Sequence, residues 1–296
     1  MMFHAITTLS VGMACVSQAY SIPTLQSRAT AGMSAFPELQ RAADLSSAAY
    51  TGCTGSAFDV TITKQINDAI TDTQGFVGYS TSKKRISVVM RGSTTTVDIA
   101  NDIDTTLVVP SLSGVQFPSG VQIMQGIYSP WSSVHTDVIS AVASLIEQYP
   151  DYTLESTGHS LGGSLTYLSY VALAQNFPDK QITSNAMAAF PIGNAAWANF
   201  GSSQNGTLNR GNNIDDGVPN MYVSAPYNFV HYGTVRKPHT AEYQFAWTNY
   251  NTTDRNTTAT APLRLVSNAL ESGTRNVLRA MAWSASLLVI SPASEL

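Results

Sequence analysis

Five consecutive residues, Gly158-His159-Ser160-Leu161-Gly162, set one hydroxyl between two glycines at i−2 and i+2. A serine so placed suits a sharp strand-to-helix turn that lifts its oxygen above a sheet, where it can attack a carbonyl carbon. The Leu161 N–H, at the start of the helix, would then face the developing oxyanion. The chemistry implied is acyl transfer, and an esterase is the leading reading. The competing reading is an ordinary serine in a glycine-rich helix start, because a five-residue motif with two fixed glycines recurs by chance.

The flanking residues supply the elements that such a turn needs. Tyr152, Leu154 and Ser156 alternate with Thr153, Glu155 and Thr157 in the period of a strand, whereas Leu165, Leu168, Val171, Leu173 and Ala174 suit a buried helix. Elsewhere the pattern predicts a helix over 36–50, a strand over 85–90, a helix over 131–148 stopped by Pro150, and a strand over 183–190 ahead of Pro191. Alternating strands and helices predict an α/β domain with a mostly parallel central sheet and helices on both faces. Ligands of such sheets bind beyond the carboxyl ends of the strands. The loop after Met90, beginning Arg91-Gly92-Ser93, and the loop holding Ser160 are therefore the two to watch.

Composition narrows the class. The chain has 296 residues, a net charge of −4, 44% apolar residues and only 11% charged ones. Lys83-Lys84-Arg85 is the largest basic cluster, so no nucleic-acid partner is expected. The histidines at 4, 135, 159, 231 and 239 show no spacing with cysteine or carboxylate that suits a metal, and no cofactor is expected. Residues 5–19 are mildly apolar and end Ser17-Gln18-Ala19, which reads as a signal peptide over 1–19 and a secreted, extracellular chain without a transmembrane span. Its removal takes Cys15 and leaves Cys53 alone, read as a buried, inert thiol or one whose partner is missing. Asn205, Asn251 and Asn256 stand in N-x-[ST] sequons and are the glycosylation candidates.

Several segments in order resemble the fungal class 3 lipases, α/β-hydrolases that include triacylglycerol lipases and feruloyl esterases. The resemblance spans roughly 36–247 and rests on RISVVMRGS at 85–93, VQIMQGIYSPW at 121–131, TGHSLGGSLTYL at 157–168, FPIGNAAWANF at 190–200, DDGVPNM at 215–221 and NFVHYG at 228–233. It implies an α/β-hydrolase fold over 20–258. It further implies that Ser160 is the nucleophile, that Asp216, rather than its neighbour Asp215, orients the base, and that Ser93 and Leu161 form the oxyanion hole. Residues 94–103 fall where these enzymes carry a lid, and the substrate implied is an ester or lipid at an oil–water interface. Ile103, Leu107, Val108, Val109 and Leu112 lean toward lipid, although such a run also commonly packs a core.

The histidine is where the sequence departs. Only His231 and His239 follow Asp216. His231 lies in a Phe-x-His-x-Gly element that resembles a structural position, and His239 lies in a segment, VRKPHTA, without a family counterpart. The family's histidine would fall around Leu270, where this chain has none, and its C-terminal cysteines are also absent. Residues 259–296 are accordingly read as an atypical tail, and its apolar run 280–290 as a liability for solubility. His239 is carried forward as the candidate base. Three readings stand: a secreted lipase-type ester hydrolase, a catalytically impaired lipase-like glycoprotein, and a serine peptidase on the same fold.

Overall fold

The structure is a computed structural model that describes residues 36–94, 103–212 and 216–235. In chain order its elements are α1 (Phe36–Thr51), β1 (Ser56–Ala57), β2 (Val60–Asp68), β3 (Thr73–Ser80), β4 (Arg85–Met90), β5 (Leu107–Val108), β6 (Ile123–Met124), α2 (Gln125–Gln148), β7 (Thr153–His159), α3 (Leu161–Asn176), β8 (Thr183–Met187), α4 (Ala195–Ser202), β9 (Thr207–Gly211), a 3₁₀ turn (Val218–Asn220) and β10 (Thr234–Val235). Eight strands form one sheet in the order β1-β2-β3-β4-β7-β8-β9-β10. Strands β1 to β4 run as an antiparallel meander, and from β4 onward every neighbour is parallel, with α2, α3 and α4 as the crossovers. The parallel half with flanking helices is the α/β-hydrolase arrangement.

Alternation along the strands splits the core between the two faces. Val77, Ile86, Val88, Met90 and Leu154 point toward α2 and α3, where they meet Trp131, Val138, Leu165 and Leu168. Phe76, Val89 and Val60 point the other way, onto Leu45 and Ala48 of α1. Strand β7 obeys the same rule with polar residues: Ser156 accepts a hydrogen bond from Ser169 of α3 at 2.7 Å, while Glu155 and His159 face α1.

Glu155 is 2% exposed and is compensated by Arg41 of α1 at 2.6 Å, Arg85 of β4 at 3.2 Å and the Ser87 hydroxyl at 2.5 Å. Arg41 also pairs with Asp59 at 2.9 Å, and Arg85 with Glu38. Removing one partner from such a buried network typically costs about 3–5 kcal/mol, because the remaining charge is left without compensation. The network clamps α1 across the amino ends of β4 and β7, and α1 in turn carries Tyr50 to the opposite end, beneath the Ser160 turn.

Four expectations change. Helix α2 begins at Gln125, six residues before the predicted start, and keeps Pro130 inside it at the loss of one backbone hydrogen bond. Strand β8 ends at Met187 rather than Phe190; Ala188 leaves it with φ 49°. Strands β2 and β3 join the sheet although no strand was predicted there. Cys53, buried behind α1, is disulfide-bonded and not a lone thiol; the chain's other cysteine, Cys15, lies outside the described residues.

Candidate active site

Strand β7 stops at His159 and α3 starts at Leu161, so the whole reversal falls on Ser160, whose φ and ψ are 58° and −121°. A non-glycine residue rarely adopts that conformation, and it persists only where the surroundings fix it. Here the Ser160 N–H donates to the Met187 carbonyl of β8 at 2.9 Å, and its carbonyl accepts the first helical bond from Ser164 at 2.9 Å. The Ser160 hydroxyl makes no capping bond to α3.

The motif glycines have a steric cause. A Cβ on Gly158 would lie 2.3 Å from the Gly162 carbonyl oxygen, and one on Gly162 would lie 2.3 Å from that of Met90. Helix α3 therefore sits directly on the ends of β4 and β7. Because Met90 pairs in register with Gly158, Arg91-Gly92-Ser93 leaves the sheet beside the Ser160 turn. Arg91 fixes that loop through Gln74 at 2.5 Å and Asp72 at 2.8 Å. Ser93 is half-buried, and Leu161 is half-buried against the main core.

Beneath the turn, the Tyr50 hydroxyl lies 3.1 Å from His159 Nδ1. A Cβ on Gly92 would come within 2.0 Å of the same hydroxyl and 2.4 Å of the His159 carbonyl oxygen. One hydroxyl thus sits where the Gly92 loop and the Ser160 turn touch. His159 Nε2 is buried without a hydrogen-bond partner, and desolvation lowers the His159 pKa to about 4. The ring is neutral at ordinary pH. Sequence reasoning passed over both residues, since a contact spanning 109 positions has no local signal.

Asp216 follows β9 at the same carboxyl edge, since Gly211 pairs with Met187 and Met187 with His159. It is 5% exposed, and its Oδ1 accepts from the Val218 N–H at 3.0 Å, which fixes the carboxylate at the mouth of the Pro219 turn. Asp215 and His239 lie outside the described residues.

The other histidines are engaged elsewhere. His231 Nε2 donates to the Pro219 carbonyl at 2.6 Å and its Nδ1 accepts from the Tyr167 hydroxyl at 3.0 Å. Both ring nitrogens are occupied, and desolvation with nearby Arg210 holds its pKa well below the usual value. His135 donates to the Ser113 carbonyl at 2.8 Å from within α2.

Of the lid stretch only Thr94 and Ile103 are described; Ile103 packs on the core with Leu107 and Leu112, whereas Val109 is 74% exposed. Asn205 is exposed between α4 and β9, and Asn251 and Asn256 lie outside the described residues. No described helix is long and apolar enough to cross a membrane, and no group of three or more metal-ligating side chains occurs among the described residues.

Comparison with known proteins agrees with this geometry. The family model "Lipase (class 3)" matches residues 87–225. Over 227 residues the chain is 66% identical to the secreted alkaline triacylglycerol lipase of Penicillium cyclopium, covering 77% of this chain and 80% of that one. The crystal structure of a triacylglycerol lipase from Penicillium expansum superposes with a TM-score of 0.71 at 62% identity, covering 75% of this chain and 86% of the other. A structure described as a triacylglycerol lipase whose catalytic centre is a serine protease triad gives a TM-score of 0.61 at 28% identity, with coverages of 70% and 80%. With a strained serine at the β7–α3 turn, the Arg91–Ser93 loop beside it and these relatives across most of its length, the chain belongs to the class 3 lipases, serine ester hydrolases of the α/β-hydrolase fold.

Proposed function

We propose that this enzyme, secreted like its Penicillium cyclopium relative, hydrolyses triacylglycerol-type esters through an acyl-enzyme on Ser160, with Asp216 and His239 completing the triad. The observation that carries the reading is Ser160 itself: a non-glycine residue at φ 58° on a strand-to-helix turn, beside a clamped loop. In the reaction His239 removes the Ser160 proton as the hydroxyl oxygen attacks the ester carbonyl. The Ser93 and Leu161 N–H groups receive the oxyanion, and the leaving alcohol departs with the proton held by the histidine. Water then attacks the acyl-enzyme, its proton passing to the histidine and on to Ser160, and the free acid is released. Asp216 stabilises the histidinium formed in each half-reaction.

His239 is assigned by elimination. Of the two histidines after Asp216, His231 has both nitrogens engaged, and His159, although adjacent to Ser160, faces α1 beneath the sheet. The same engagement favours a second reading, a lipase-like glycoprotein without a base. A triad lacking one member keeps only about 10³–10⁴-fold acceleration over water.

A fluorophosphonate probe and a short-chain p-nitrophenyl ester separate the two. The first reading expects labelling and turnover that vanish in Ser160→Ala and fall by about 10³ or more in His239→Ala, with His231→Ala folded less stably but still reactive. A folded wild-type chain that neither labels nor turns over would leave the second reading in place.

A further inference from the structure

About two turns along α3 from Ser160 stands Tyr167, buried and gripped from both ends by the pair His231-Tyr232. The Tyr232 hydroxyl donates to the Tyr167 carbonyl at 2.7 Å, and the Tyr167 hydroxyl donates to His231 Nδ1 at 3.0 Å. Two further contacts fix the same pair. The Val230 N–H donates to the Gly193 carbonyl at 2.9 Å, and a Cβ on Gly201 of α4 would lie 2.4 Å from the Tyr232 ring. The place of His231 is therefore set by α3, α4 and the Gly193 segment before its far nitrogen meets the Asp216 turn.

The direction of each bond follows from what the groups can do. Arg210 of β9 can only donate, so the Tyr167 hydroxyl accepts from it and gives its own proton to Nδ1. With Nδ1 an acceptor, the neutral ring carries its proton on Nε2, which lies 2.6 Å from the Pro219 carbonyl. Burial, and then the charge of Arg210, hold the ring in that neutral form. Pro219 belongs to the 3₁₀ turn whose Val218 N–H donates to Asp216 Oδ1 at 3.0 Å. The turn's own bonds, from the Asn220 N–H to the Gly217 carbonyl and from the Met221 N–H to the Val218 carbonyl, shape it locally. The bond from His231 ties it to α3.

We infer that His231 is a positioning residue for the reaction, a strut that sets the separation between the helix opening at Ser160 and the turn that presents Asp216. The inference rests on the ester-hydrolase reading with Asp216 as the acid. Its weight comes from geometry, since a misplacement of about 1 Å in a catalytic group costs on the order of 10²-fold in rate.

The test compares the full chain with His231→Gln and His231→Asn. A glutamine amide nitrogen reaches about as far as Nε2 and keeps the donor to Pro219, whereas an asparagine amide oxygen stands about where Nδ1 does and keeps only the acceptor for Tyr167. Each variant loses one bond, so a role in stability alone would treat the two alike. On a dissolved short-chain p-nitrophenyl ester, His231→Asn should lower kcat about ten- to a hundredfold with KM within about threefold, and His231→Gln should keep kcat within about fivefold of wild type. Exchange of the Val218 amide hydrogen, read by NMR, should quicken about tenfold in His231→Asn and stay near wild type in His231→Gln. Equal losses of kcat in the two variants, an asparagine variant within about twofold of wild type, or unchanged Val218 exchange in it would overturn the inference. If neither variant folds, Tyr167→Phe removes the hydroxyl that holds Nδ1 and should quicken Val218 exchange and lower kcat about threefold or more; no change in either would overturn it as well. A wild type that turns over no ester would refute the catalytic reading, and Val218 exchange would still decide whether the strut exists.

Discussion

Replacing Tyr50 with phenylalanine removes one oxygen and keeps the ring that packs at the end of α1. That oxygen is 3.1 Å from His159 Nδ1, and His159 Nε2 already lacks a partner, so the variant leaves both ring nitrogens unsatisfied. A lost hydrogen bond is worth about 1 kcal/mol and a buried orphan about 1–3 kcal/mol, giving a cost of about 2–3 kcal/mol. For a domain of this size that is a fall in Tm of about 4–10 °C. The same hydroxyl fills the narrow space between Gly92 and the Ser160 turn, so the Ser93 loop loses its underside. Misplacing an oxyanion donor by about 1 Å costs on the order of 10²-fold in kcat, with KM little changed. Calorimetry and steady-state turnover of a soluble ester measure both effects. A variant that melts within about 1 °C of wild type and keeps kcat within about twofold would refute the view that this hydroxyl braces the site.

Asp44 of α1 has its pKa raised to about 6, first by desolvation and then by Asp59. A carboxyl raised in the folded state favours folding when protonated, so this contribution is fully present below the unfolded value and is lost as pH rises through about 6. After discounting for partial exposure, Asp44→Asn should gain about 1.5 kcal/mol at pH 8 and almost nothing at pH 4; denaturant titrations showing the same difference at both pH values would contradict this. Gly162→Ala places a methyl 2.3 Å from the Met90 carbonyl oxygen and 2.8 Å from the Arg91 carbonyl carbon, driving the Arg91–Ser93 loop off the turn. Turnover should drop by about 10² or more while circular dichroism stays native, and retained activity would mean that the contact is not tight in solution.

The strand-to-helix turn at Ser160 was legible because its requirements are local. Two glycines, a strand before them and a helix after them report backbone crowding, which at both positions leaves a Cβ only 2.3 Å from a carbonyl oxygen. Strand β4 was legible through its β-branched residues Ile86, Val88 and Val89, all of them buried in a two-sided sheet. Strands β2 and β3 were not, since Lys64 and Gln65 are exposed and Gly75 and Gly78 interrupt the apolar pattern for the sake of close strand approach. Helix α2 starts six residues ahead of its expected start and runs through Pro130, since a proline in the second turn deletes only one backbone bond. The engagement of His231 depends on Tyr167, 64 positions earlier, and on a main-chain carbonyl 12 positions earlier, which no sequence period encodes.

Glu155 and Ser160 lie on one strand and its end, separated by a rise of roughly 16 Å. The first anchors an ionic clamp and the second carries the hydroxyl proposed as the nucleophile on a strained backbone. Robustness and reactivity are thereby assigned to opposite poles of a single element, and they can drift independently. Changes among Glu38, Arg41, Asp59 and Arg85 would retune tolerance to heat, acid and salt while the reacting atoms keep their geometry. The carboxyl pole is freed to diversify its loops for new esters, because the margin of stability that tolerates such experiments is held at the other pole.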